Sequence, residues 1–265
     1  DAPHNYNQLS REAVYRFFGK HILGETEPKK LAERGIQPEM LQDMLALHGR
    51  TLPDNALSFE SLFTHWKAMS QRQSESIRDP SQMRERLVWS LMTEWPKEVV
   101  SSGDGERIVL SRAGKGDRVP GLWIPGRAPA ALIVHPDGAE AARKTPQAAK
   151  LIAAGRAVLL IDAFQTGTAV APSDRSTQHF LTFNQSDDAN RVQDILTALA
   201  FLESKQMGRT ELTGLGKAGV WSLFAAAVAP ADLALSADLE GFQGTDQDFL
   251  DRFFVPGIQR AGGLK

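Results

Sequence analysis

From about residue 103 onward the chain alternates short β-branched runs with amphipathic stretches, and this alternation constrains the fold more than any other feature. "ERIVLS", "VPGLWI" and "AALIVH" lead into a helical stretch over 139–154, and "AVLLID" leads into a helix over 186–204. "TELTG" leads into a helix over 217–228, and "DLALSAD" follows. Strands separated by helices of this kind form a mainly parallel sheet with helices on its faces, the α/β class. The 186–204 helix is the plainest of them, because Val192, Ile195, Leu196, Leu199 and Leu202 keep a helical spacing and Ser186 opens an acidic first turn.

The first hundred residues read differently. Residues 10–23 predict a helix with Ser10 as N-cap, Val14, Phe17, Phe18 and Leu23 on one face, and an end near Gly24. The loop "DAPHNYNQ" precedes it. Residues 25–100 are helical and polar-rich, with one helix opening at Asp79-Pro80, Gln82 completing a capping box and Trp95-Pro96 closing it. Three segments are therefore expected: 1–24, a helical connector over 25–100, and an α/β module over 101–265.

Composition narrows the function. A chain of 265 residues, 42% hydrophobic, can bury a sizeable core. Its formal net charge of -2 gives no basic excess for phosphates, so nucleic acid is not an expected partner. No apolar run reaches the roughly 20 residues of a membrane span, since Pro230 and Asp232 interrupt the longest candidate. The absence of cysteine excludes disulfides, thiolate metal sites and a cysteine nucleophile. His21, His48, His65 and His179 lack metal-ligand spacing, so neither a metal nor another cofactor is expected. The chain begins at Asp1 rather than methionine, which suggests a removed leader and a secreted or periplasmic protein.

The stretch "ELTGLGKAGVWSLFAAAV" supports two readings. Gly214, Gly216 and Gly219 fit the G-x-G-x-x-G turn of a dinucleotide site, with Asp238 and Glu240 about 20 residues on as candidate ribose acceptors. Too few residues follow Gly219 for a second mononucleotide-binding half in the usual order. Alternatively, the turn is a G-x-S-x-G elbow in which Gly216 stands where the nucleophilic serine would be. Such a corner strains any residue with a Cβ, so glycine there relieves about 1–3 kcal/mol once catalysis is not demanded.

On the elbow reading, "ALIVHPDG" resembles the loop that supplies the first oxyanion-hole amide, with Lys217, after the nucleophile position, supplying the second. From that stretch to "DRFFVPGIQRAGGLK" the chain resembles an α/β-hydrolase of the bacterial acetyl-xylan-esterase-like group. The resemblance implies that His135, Asp137, Gly138 and Lys217 build the oxyanion-type loop. The serine is missing, and the chain stops before the strands that carry the family's acid and histidine, so this module cannot complete a triad. The opening "DAPHNYNQLSREAVYRFFGKHIL" resembles the end of another such hydrolase, which puts His4 in the position of its catalytic histidine. There it would take the serine proton and return it to the leaving alcohol.

Other candidates have plainer uses. Asp162 is expected to hold its turn by accepting backbone N–H groups, and His135 to orient its loop. Asp187 and Asp188 suit a helix first turn. Trp66, Trp89, Trp95, Trp123 and Trp221 suggest a sugar-stacking platform, although packing is the ordinary use of most of them. The expected whole is a segment of a tandem serine ester hydrolase acting on acyl or methyl esters of carbohydrates, His4 serving an upstream site and the second module degenerate. A non-catalytic binding or assembly module and a dinucleotide site stand as alternatives. Esterified polysaccharide or oligosaccharide is the expected ligand, and a companion polypeptide supplying strands and the catalytic serine and acid is the expected partner.

Overall fold

The computed structural model describes residues 4–35 and 37–264, and its compact units divide after residue 60. In the first unit, α1 (Gln8–Phe18) runs into a π-helical turn (Gly19–Leu23), followed by the single turns α2 (Pro28–Leu31) and α3 (Leu41–Met44). The N-cap of α1 is Asn7, whose side chain accepts from the Ser10 N–H at 3.0 Å, so the helix starts earlier than Ser10 capping implied. Gly24, at φ +65°, ends it as expected. Arg11 clasps Glu33 with two hydrogen bonds of 2.6 Å. That bidentate pair fixes α1 to the segment after α2.

All but the first two residues of α4 (Phe59–Glu75) belong to the second unit, and α5 (Pro80–Leu91) follows. Asp79 caps α5 through the Ser81 N–H at 2.9 Å, with Pro80 at the first position. The cap uses Ser81, and the expected reciprocal bond from Gln82 is not part of it. The helix ends at Leu91 rather than at Trp95-Pro96, because Met92 turns left-handed at φ +53° and closes it with N–H bonds to Val88 and Trp89 carbonyls. Residues 25–100 are accordingly less helical than their composition suggested, with long non-helical stretches between α2, α3 and α4.

Seven strands follow: β1 (Val99–Asp104), β2 (Arg107–Arg112), β3 (Val119–Ile124), β4 (Arg127–Val134), β5 (Arg156–Ile161), β6 (Thr210–Gly214) and β7 (Leu233–Ala237). They form one sheet in the order β1-β2-β3-β5-β4-β6-β7, parallel across β5-β4-β6-β7 and antiparallel across β1-β2-β3-β5. The expected α/β sheet flanked by helices is present. Its antiparallel half is larger than the helix alternation implied, since β1 to β3 are joined without intervening helices.

β4 and β5 lie at the centre. Ala130 to Val134 and Ala157 to Ile161 are completely buried, the near-continuous apolar run of a strand covered on both faces. Side chains alternate across the pleat. Leu132, Val134, Leu159 and Ile161 face α9 (Asp187–Ser204) and α10 (Ala218–Val228), while Ile133, Val158 and Leu160 face α6 (Ala139–Arg143) and α7 (Pro146–Ala153). The stretch expected as one helix over 139–154 is two, broken where Thr145 caps α7 and Pro146 fills its first position. The expected 186–204 helix is α9, with Ser186 as its cap. The short α8 (Phe180–Phe183) and α11 (Asp246–Asp251) complete the α-helices among the described residues, and a 3-10 turn spans Gly167–Ala169. No helix among them is long and apolar enough to cross a membrane.

Candidate active-site corner

The order of the sheet reverses at β4, which has β5 on one side and β6 on the other. In open α/β sheets ligands bind beyond the carboxyl ends of the strands at such a reversal. The loops after β4 and β6 meet there, where the Leu215 N–H bonds to the Val134 carbonyl at 3.0 Å.

The corner between β6 and α10 is tight. Ala218 N–H bonds to the Leu215 carbonyl at 3.0 Å and Gly219 N–H to the Gly216 carbonyl at 2.9 Å, so two successive turns carry the strand into the helix. The three glycines serve different ends. Gly216 has φ +52°, a left-handed conformation that strains a residue with a Cβ. Gly219 lets α10 approach the loop after β7, since a Cβ there would lie 1.8 Å from the Asp238 carbonyl oxygen. Gly214 faces Ala218 and Ser222, with a would-be Cβ 2.5 Å from Ser222 Oγ. Ser222 itself is fully buried, so its hydroxyl is not offered to an external substrate.

Glu240 is the residue that sequence reasoning undervalued, having considered it only as a ribose acceptor. A Cβ at Gly216 would lie 3.2 Å from Glu240 Oε1 and 3.6 Å from Pro136 Cγ. The carboxylate thus overhangs Gly216 from the loop after β7. Glu240 has φ +45°, and its N–H bonds to Asp238 Oδ1 at 3.0 Å. Arg252 Nη2 reaches the Leu239 and Glu240 carbonyls at 3.1 and 3.2 Å and lies 3.9 Å from Glu240 Oε2. A left-handed turn at a glutamate next to Gly241 left no hydrophobic pattern in the sequence that would have revealed it. Lys217, at the start of α10, is exposed.

The loop after β4 folds back on itself. Gly138 N–H bonds to the His135 carbonyl at 3.0 Å, and Asp137 N–H donates to His135 Nδ1 at 3.1 Å. His135 therefore orients the loop, and the Asp137 amide that could face an oxyanion is engaged by its imidazole. Gly138, at φ +90°, packs where a Cβ would lie 2.3 Å from Asp162 Oδ1. Asp162 holds the turns on both sides: Oδ1 accepts from Ala139 N–H at 2.6 Å, and Oδ2 from Thr168 N–H at 3.1 Å and Thr168 Oγ1 at 2.5 Å.

A second cleft of about 560 Å³ opens beside the N-terminus of α9 and is lined by Arg175, His179, Asp187, Asp188, Arg191 and Phe254 among others. Asp187 pairs with Arg175 at 2.7 Å, and Asp188 bonds to Arg191 at 2.8 Å and to the Phe254 N–H at 2.7 Å. Burial raises the Asp188 carboxyl above its usual range, against the pull of Arg191 and the Phe254 N–H. Arg191 also stacks 4.6 Å from the Trp221 ring. These acids are braced by their partners, beyond the helix-dipole role expected for them.

His4 is an exposed residue of the first unit, just ahead of Asn7 and α1. Among the five tryptophans, Trp221 is buried, while Trp95 and Trp123 pack against the core. Trp66 and Trp89 are exposed, contrary to the packing expected of their helical spacing.

No protein-family model matches the chain, and no curated protein does. Among solved structures, it is similar to Acetyl Xylan Esterase 1 from Thermoanaerobacterium sp. JW/SL YS485, at 18% identity and a TM-score of 0.33. The match covers 62% of this chain and 61% of that one, so the chain spans about three fifths of that esterase's length.

Proposed function

We propose that this chain is part of a serine ester hydrolase acting on acyl or methyl esters of carbohydrates, and that its own corner at Gly216 performs no chemistry. The observation that carries this reading is the strand-to-helix turn at Gly216: left-handed, without a side chain, and overhung by Glu240. A nucleophile elbow has that backbone. This one offers a carboxylate in place of a hydroxyl, and its neighbouring Asp137 amide is bonded to His135. A carboxylate beside Gly216 also disfavours a dinucleotide pyrophosphate, because like charges would meet at the helix start.

The chemistry then belongs to His4, acting on a serine and an acid supplied by an upstream module or a companion polypeptide. The imidazole would accept the serine proton during acylation and return it to the leaving alcohol. An exposed position ahead of a capped helix leaves the ring free to serve such a site. The reading predicts a longer polypeptide that contains this chain, hydrolyses acetylated xylo-oligosaccharides and loses roughly 10³-fold or more of its kcat on His4→Ala. Full activity in His4→Ala would remove His4 from the mechanism. A binding module with no catalytic partner is the second reading, favoured by the Glu240 overhang, and predicts no ester hydrolysis by the longer polypeptide.

A further inference from the structure

Trp89, on α5, is 76% exposed and borders a groove of about 610 Å³ between α4, α5 and the segment around Gly257 to Ala261. The charged side chains lining that groove are Arg86 and Arg260, and the adjoining cavity that shares Arg260 is lined also by Lys67 and Asp246. Neither guanidinium has an ion-pair partner among the described residues, in contrast to Arg112, Arg156, Arg175 and Arg252. Arg86 and Trp89 are three positions apart and share a face of α5. Ser70 and Gln73 of α4 and Ser90 of α5 add hydrogen-bonding groups.

The groove is built rather than incidental. Ser74 Oγ bonds to the Gln259 carbonyl at 3.3 Å, Gln259 Nε2 bonds to Asp246 Oδ1 at 2.6 Å, and Lys67 pairs with Asp246. Arg84 Nε bonds to the Ala227 carbonyl at 3.2 Å and holds α5 against the end of α10. Stacking of Phe253 on Phe224, with ring centroids 4.3 Å apart, seats the chain leading into residues 257–261. A second cavity of about 550 Å³ shares Ser70 and Arg260 and adds the amides of Gln71, Gln243 and Gln259 together with Asp246, whose carboxylate is held by Lys67 and Gln259. The groove beside Trp89 is a polar trough of a size that takes small ligands.

An indole face beside hydroxyls and amides suits a pyranose ring, whose C–H face packs on the π-surface while its hydroxyls hydrogen-bond around the edge. Unpaired guanidiniums select a carboxylate, which they bind with two parallel N–H bonds. We propose that this trough binds an acidic oligosaccharide, with a sugar ring on Trp89 and uronate carboxylates on Arg86 and Arg260. The proposal rests on the carbohydrate-ester reading above and names the class of glycan: one bearing uronic acids.

The test is calorimetric titration of the 265-residue chain, with the Trp89 indole N–H followed by NMR. The probes are a glucuronate-substituted xylo-oligosaccharide, the neutral oligosaccharide of equal length, and polyglutamate. Saturable binding of the acidic sugar that shifts the Trp89 indole is expected, at least tenfold tighter than for the neutral sugar. Trp89→Ala, Arg86→Gln and Arg260→Gln should each weaken it about tenfold, equivalent to roughly 1.4 kcal/mol. Trp89→Phe should restore much of the loss. Trp89 and its ring lie largely in water, so Trp89→Ala leaves the fold intact. The proposal is overturned if the acidic sugar does not bind, if the neutral sugar or polyglutamate binds equally well, or if the Trp89→Ala change is silent. These readouts need no ester hydrolysis, so loss of the trough and loss of the His4 mechanism are separate results.

Discussion

At the scale of single residues, the glycine turn separates two physical demands that the sequence presents as one motif. Gly219 is required by space and Gly216 by backbone angle. A methyl at 219 would press on the Asp238 carbonyl at 1.8 Å, so Gly219→Ala forces the helix or the loop to move. It should cost about 3 kcal/mol or more, beyond the usual range for overpacking. Gly216→Ala meets only contacts of 3.2 Å or longer, so it should cost only the left-handed penalty of about 1–2 kcal/mol. Urea unfolding of the two variants checks this order, and equal losses would contradict it. Asp162→Ala should cost about 2–4 kcal/mol, because the N–H groups of Ala139 and Thr168 lose a buried acceptor. The role of Asp162 was legible in the sequence because a carboxylate after a strand has few other uses. Glu240 was not legible, since its position over Gly216 depends on how the loop after β7 turns back across the sheet.

At the scale of elements, the strands and helices of the central sheet were readable because both faces of β4 and β5 are covered and their sequences are almost wholly apolar. Each fully buried leucine or isoleucine there contributes about 1.5–3 kcal/mol. β1 was missed because its strand "VVSSGD" pairs with β2 alone among the described residues and is mostly exposed, so no apolar alternation marks it. The end of α5 was misplaced because a methionine, not a glycine, takes the left-handed cap. On α9, burial pushes the Asp194 carboxyl up to about 8, with Asp117 adding to the rise and the Phe164 N–H, Arg112 and Arg191 opposing it. A carboxyl whose folded pKa lies above its unfolded value binds its proton more tightly when folded, so stability falls as pH rises from about 4 to 8. Asp194→Asn should therefore raise stability at pH 8 and leave it little changed at pH 4, as read by thermal melting. A gain of equal size at both pH values would rule out Asp194 as the cause. β7, outermost in the sheet, pairs with β6 alone among the described residues and exposes Leu235. Open strand edges invite association. Leu235→Lys should reduce concentration-dependent self-association in sedimentation, and an unchanged profile would assign any association to another surface.

At the scale of the whole molecule, the α/β module could be recognised from its alternation of strands and helices, while the corner we propose as a vacated site could be recognised only as a glycine turn between a strand and a helix. The chemistry is expected from an exposed histidine of the other unit, and the sequence announced that by resemblance in its first residues, not by any pattern of charge or spacing. The sharpest test is to label the protein as isolated from its native source with a serine-directed phosphonate and map the modified peptide by mass spectrometry. The account predicts one labelled serine upstream of Asp1, lost labelling in His4→Ala, and none within residues 1–265. A labelled serine inside residues 1–265 would contradict it, because the Gly216 corner would then not be the vacated site.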